Sequence, residues 1–196
     1  MKRILCLGDS NSFGYDPRSF FGGRYPKSVR WTGRLEAAGW QILNYGQNGM
    51  KIPAREQDII ACEKIIRQEI PDAVIVMLGS NDLLQNPGMT AEQTAFRMEK
   101  FLIRLTENSQ SVCFLLTAPP PMKPGEWVYE KRLLTESARI GAFYEAVARR
   151  LGIAFANAEE WNIDLAFDGV HFLPSGHAAF AEGVNRVLQK VLAFKK

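Results

Sequence analysis

Five short apolar runs recur along the chain, and each is followed by a longer stretch in which apolar residues return every three or four positions. The runs cover residues 3–7, 41–44, 73–78, 112–117 and 153–156. Three of them are apolar throughout rather than alternating, the pattern of a parallel strand covered on both faces. The intervening segments carry helical spacing. Thr90 and Gln93 stand as a capping box ahead of a stripe formed by Ala91, Ala95, Met98, Leu102 and Leu105. Ile140, Phe143, Val147 and Leu151 form a second stripe, which Gly152 ends. Pro174 suits the first turn of a last helix, whose stripe is Ala181, Val184, Leu188 and Val191. Five strands alternating with helices predict a parallel sheet with right-handed crossovers. No second core or linker interrupts the pattern. We therefore expect residues 1–196 to form a single α/β domain with three α/β/α layers.

Composition narrows the class without changing this picture. With 196 residues, 46% hydrophobic and 23% charged, the chain can bury a core without a disulfide or a metal. Those values exclude a disordered tail, a collagen-like repeat and a disulfide scaffold. Three cysteines cannot all pair; Cys6 and Cys113 lie in strand-like runs and Cys62 in a helix-like one. They read as buried thiols of a reducing compartment, and no spacing suits zinc. The apolar run after Met1, Lys2 and Arg3 is too short for a signal peptide, and no stretch approaches a membrane span. A cytoplasmic protein with no cofactor is expected, with homo-oligomer formation left open. A net charge of +3 and the lack of a recognition motif argue against nucleic acid. The charge is uneven, however. Arg18, Arg24, Lys27, Arg30 and Arg34 have no acid among them between Asp16 and Glu36. This stretch is either a solvated face or a means of steering anionic esters.

Ligands of open α/β sheets bind beyond the carboxyl ends of the strands. Four chemically loaded segments fall there: Gly8-Asp9-Ser10-Asn11, Asn44 through Gly49, Gly79-Ser80-Asn81-Asp82 and Asp168-Gly169-Val170-His171. Each alone is what a helix cap or a turn would supply. On one rim they are complementary. Ser10 is a hydroxyl nucleophile that needs a base. The chain holds two histidines, His171 and His177. His177 shares a helix face with Ala181, Val184 and Leu188 and points to the core. His171 lies in a loop, three residues after an acid that can fix its tautomer, so we favour it as the base and Asp168 as its orienter. Asp164 is a rival orienter at longer reach. The backbone N–H groups of Ser10 and Gly49 and the Asn81 amide would receive an oxyanion.

These four segments, in this order, resemble the four blocks of the SGNH (GDSL-type) hydrolase superfamily, and the resemblance spans nearly the whole chain. It implies a flavodoxin-like sheet and an esterase mechanism through an acyl-enzyme. Ser10 would be the nucleophile, His171 the base and Asp168 the acid, with Ser10, Gly49 and Asn81 in the oxyanion hole. Residues 8–17, Arg30-Trp31-Thr32-Gly33 and the three prolines at 119–121 resemble the arylesterase and acyltransferase branch. The second block departs from the usual pattern, with Gln47-Asn48 before Gly49, which leaves Gly46 as an alternative donor.

Substrate range should depend on the long connections, residues 12–25 and 119–129. They carry Phe13, Tyr15, Phe20, Phe21, Tyr25, Met122 and Trp127, either as loop anchors or as an apolar acyl- or aryl-binding wall. As substrate contacts we assign Asp9, Asn11, Phe13, Trp31 and Trp127. The expected activity is hydrolysis or transesterification of small to medium carboxylic esters without a metal. A carbohydrate deacetylase, a lysophospholipase or a thioesterase of the same superfamily would share the triad. A flavodoxin-like module that only binds a small ligand is the non-enzymatic rival. The lack of a glycine-rich phosphate loop counts against it.

Overall fold

The computed structural model describes residues 1–19 and 21–193. Phe20 lies outside the described residues. Five parallel strands form one sheet in the order β2-β1-β3-β4-β5. They are β1 (Arg3–Gly8), β2 (Gln41–Gly46), β3 (Ala73–Met77), β4 (Cys113–Ala118) and β5 (Ala154–Asn157). The first strand is interior, paired to β2 on one side and β3 on the other. Ile4, Leu5, Cys6 and Leu7 are all buried, which explains why that run does not alternate.

Two apolar cores sandwich the sheet. On one face, Leu5, Leu7, Val74, Val76 and Leu116 pack against α3 (Glu56–Glu69), α5 (Ala91–Glu107) and α6 (Lys131–Leu151). On the other, Ile4, Cys6, Ile75, Met77 and Leu115 meet α2 (Trp31–Ala37) and α7 (Pro174–Ala193). The α/β fold with three layers is the one the pattern predicted, and the strand order is the flavodoxin-like one that the resemblance implied.

Local signals hold in detail. Thr90 and Gln93 close the capping box of α5, Gly152 ends α6 in the left-handed region at φ 65°, and Pro174 opens α7. The α6 face is rotated from the expected stripe. Tyr144 is fully buried, whereas Phe143 and Leu151 pack only at the edge of the core. The Tyr144 hydroxyl donates to the Leu78 carbonyl at 3.0 Å, and that partner makes deep burial of a phenol tolerable. Strand β2 runs two residues further than expected, because Tyr45 and Gly46 pair with Leu7 and Gly8. Two short helices, α1 (Ser10–Phe13) and α4 (Ser80–Gln85), follow β1 and β3 directly, and a 3-10 turn spans Ala158–Trp161. Cys6 and Cys62 are buried thiols, and burial pushes the Cys62 thiol up to about 11.

Candidate active site

The register that aligns Gly8 with Gly46 and Met77 brings the segments after β1, β2 and β3 to one edge. Ser10 opens α1, whose N-cap is Asp9; the Asp9 carboxylate accepts the Asn11 N–H at 3.0 Å. A serine at a strand-to-helix junction is held by backbone on both sides. Its Oγ lies 2.9 Å from His171 Nε2.

His171 stands in the loop before α7. Its Nδ1 is 2.6 Å from Asp168 Oδ2, while Asp168 Oδ1 accepts the N–H groups of Val170 at 2.8 Å and His171 at 2.9 Å. Burial raises the Asp168 carboxyl, but the His171 imidazole and these two N–H groups outweigh it and hold the group below its ordinary range. An acid kept ionised on Nδ1–H leaves Nε2 as the acceptor facing the serine. His171 is buried, and two aromatic rings flank it: Tyr15 at 4.6 Å between centroids and Trp127, edge-on, at 4.9 Å.

The two remoter donors expected for an oxyanion come from β2 and β3. Gly49 sits at φ 72°, a conformation glycine adopts without strain. The Asn81 amide donates to the Met50 carbonyl at 3.1 Å with one of its two hydrogens. Gln85 contacts both segments, donating to the Gly49 carbonyl at 3.1 Å and to Asn81 Oδ1 at 3.2 Å. Asp82, fully buried, accepts the Ile52 N–H at 2.9 Å and is met by Arg97 at 3.3 Å. Burial pushes its carboxyl up despite these partners.

Several expected contacts are placed elsewhere. Asp9 is 2% exposed and occupied as the cap; burial pushes it up to about 6 against the pull of the Asn11 N–H and His171. Asn11 is 4% exposed: its amide donates to the Val170 carbonyl at 3.1 Å, and its Oδ1 accepts the Phe172 N–H at 2.9 Å. Trp31 is buried and donates its indole N–H to the Asn11 carbonyl at 3.0 Å. These three side chains are taken up by the fold, so they do not fit substrate contacts. Phe13 lies under the Arg24 guanidinium, 4.4 Å away. Trp127, about half exposed beside His171, is the one assigned contact that faces the site openly.

Other candidates are likewise engaged. The Gly46 N–H goes to Asn44 Oδ1 at 2.9 Å, which removes it as an alternative donor. Asp164 accepts the Ser175 hydroxyl at 2.8 Å near the start of α7. His177 is buried between α2 and α7, accepting the Trp31 N–H on Nδ1 at 3.4 Å. Tyr25 and Met122 are buried as loop anchors rather than as an open wall. Within the basic stretch, Arg18 pairs with Asp16 and Lys27 with Glu36.

The acid loop is braced from outside. Lys123, Glu126 and Trp127 donate backbone N–H groups to the carbonyls of Gly169, Phe167 and Asp168. A Cβ on Gly125 would stand 2.5 Å from the Asp168 carbonyl carbon, so only glycine permits that approach. Sequence reasoning missed Gln85 and the bracing role of Asn11. The four-residue spacing of Asn81 and Gln85 was the available signal for the first, once α4 is known to be helical.

The chain as a whole is similar to known proteins. A family model described as GDSL-like lipase/acylhydrolase matches residues 6–179. A protein from Agrobacterium tumefaciens, named for an inferred arylesterase activity, is 26% identical; its structure superposes with a TM-score of 0.85 over 97% of this chain and 100% of that one. The native aryl esterase of M. smegmatis is 24% identical, with a TM-score of 0.81 over 96% and 100%. A carbohydrate acetylesterase from Sinorhizobium meliloti is 23% identical, with a TM-score of 0.85 over 99% and 100%. At those last two identities the likeness is one of fold. No curated protein sequence matches the chain significantly.

Proposed function

Because this carboxylic ester hydrolase belongs to the GDSL-like lipase/acylhydrolase family, we propose that it cleaves small to medium esters with Ser10, His171 and Asp168 as its triad. The observation that carries this is the unbroken path Asp168 Oδ2, His171 Nδ1, His171 Nε2, Ser10 Oγ, at 2.6 and 2.9 Å. His171 takes the serine proton as Oγ attacks the ester carbonyl, and Asp168 stabilises the imidazolium that forms. The negative charge gathering on the carbonyl oxygen is received by the N–H groups of Ser10 and Gly49 and by the second hydrogen of the Asn81 amide. His171 then returns the proton to the departing alkoxide or phenoxide, leaving an acyl-serine. Water or an alcohol, deprotonated by the same imidazole, releases the acyl group.

Tyr15 and Trp127 on either side of His171 support an aryl- or acyl-lined entrance, in keeping with the arylesterase name of the 26% identical neighbour. We read residues 1–196 as one catalytic domain, since a single sheet orders every proposed group. Hydrolysis of p-nitrophenyl acetate by wild type and Ser10→Ala tests the reading. The variant should lose nearly all turnover, by about 10³-fold or more; equal rates would remove the serine mechanism. An acyl-length and leaving-group series, with acetylated sugars included, then fixes the substrate class.

A further inference from the structure

Met50 and Ile52 reach the core, but Gly49 itself is exposed and has little packing of its own. A Cβ built on Gly49 would meet only the Gln85 amide nitrogen, at 3.7 Å. Residues 49–52 are also gripped by the side chains of one short helix. Asn81 donates to the Met50 carbonyl, Asp82 accepts the Ile52 N–H, and Gln85 donates to the Gly49 carbonyl. Gln85 alone among these side chains contacts both remote donor residues. Its NH2 carries two hydrogens, and two acceptors stand in reach: Gly49 O at 3.1 Å and Asn81 Oδ1 at 3.2 Å.

We propose that Gln85 is the positioning residue of the oxyanion hole, locking the Asn81 carboxamide the right way round and tying it to the carbonyl of Gly49. A primary amide turned by 180° presents oxygen where it had presented nitrogen. In Asn81 such a turn would put Oδ1 against the Met50 carbonyl and toward the developing oxyanion, repelling both. With Oδ1 engaged by Gln85, the nitrogen faces the hole, one hydrogen on Met50 and the other directed to the substrate. The same side chain restrains the carbonyl of Gly49, one bond beyond the Cα whose N–H is the second donor. Gln85 touches neither the ester nor the triad. Its effect is confined to the state in which the carbonyl oxygen carries charge, so both acylation and deacylation should feel it.

The inference rests on the serine-esterase reading, and its test separates the two. Gln85→Ala, Gln85→Glu and Ser10→Ala are compared with wild type on p-nitrophenyl acetate for kcat, KM and Tm. Binding of phenylboronic acid, which forms a tetrahedral anionic adduct on a serine, is measured alongside. Gln85 is exposed, so folding should tolerate both changes. Loss of two solvent-accessible hydrogen bonds to the hole predicts a kcat about tenfold lower in Gln85→Ala, with KM and Tm little changed and boronate binding weakened in proportion. Gln85→Glu sets a carboxylate against two acceptors and should be slower still. Relative to wild type it should recover as pH falls through the glutamate's titration, because the protonated acid regains one donor. A wild-type kcat and boronate affinity in Gln85→Ala would overturn the proposal. So would a loss that follows Tm, or a Gln85→Glu to wild-type ratio that does not vary with pH. If Ser10→Ala matches wild type, the esterase reading itself falls, and the positioning role with it.

Discussion

At the scale of single residues, the site is built by side chains that behave as backbone. Asn11 bonds the carbonyl before His171 and the N–H after it, as a neighbouring strand would, and its own carbonyl is fixed by Trp31. The residue next to Ser10 thereby sets where His171 stands. Asn11→Leu would strand a buried carbonyl and a buried N–H, each worth about 1–3 kcal/mol when left without a partner. We expect a kcat at least about tenfold lower with KM nearly constant, since the loosened imidazole matters to proton transfer rather than to binding. Steady-state kinetics with a melting curve checks this, and an unchanged kcat in a folded variant would refute it. Ser10, Asp168, His171, Gly49 and Asn81, the groups of the proposed site, could be picked out from the chain because their chemistry is written in short local segments. Asn11 could not be assigned correctly, because its partners lie 159 and 161 residues away. Asp9 misled for a related reason: a carboxylate beside a nucleophile resembles a ligand contact, and a helix cap makes the same demand.

At the scale of elements, strands and long helices follow from apolar spacing, whereas the short helices do not. Four residues in α1 and six in α4 hold too few turns for periodicity to register, and tertiary contacts stabilise them. The rotation of α6 had a similar origin, since a polar tip on Tyr144 concealed a ring that belongs to the core. Loop against loop was equally silent in the sequence. The contact of residues 123–128 with the acid loop depends on Gly125, whose missing side chain leaves room for the Asp168 backbone. Gly125→Ala should push the two loops apart and cost about 1–3 kcal/mol, the usual range for overpacking. Turnover should fall with it, because Asp168 moves relative to His171. Urea titration read beside kcat distinguishes the cases: a stable variant with full activity would show that the brace does not matter.

At the scale of the whole molecule, His177 is a titratable group of α7 sealed against α2. Burial, with Arg34 and Arg30 nearby, depresses it from 6.5 to about 3. In the unfolded chain it charges near its ordinary value, so the unfolded state binds a proton that the folded state refuses. The stabilisation is complete above about pH 6.5 and drains away as pH falls toward 3, at up to about 1.4 kcal/mol per pH unit. Asp9 works in the opposite sense. Raised to about 6, it favours the folded state below its ordinary range and costs stability as pH rises through 6. His177→Gln keeps an acceptor for the Trp31 N–H but cannot titrate. Its Tm deficit relative to wild type should therefore shrink between pH 7 and pH 4. A constant deficit would show that His177 does not carry the acid sensitivity.

The interior position of β1 also has a consequence in time. The residues that Asn11 grips are made 159 positions after it. At ordinary synthesis rates, that interval is roughly 10–30 s. Throughout it Ser10 stands without His171 and Asp168, and the proposed mechanism therefore requires the chain to be made through residue 171 before the serine can be activated.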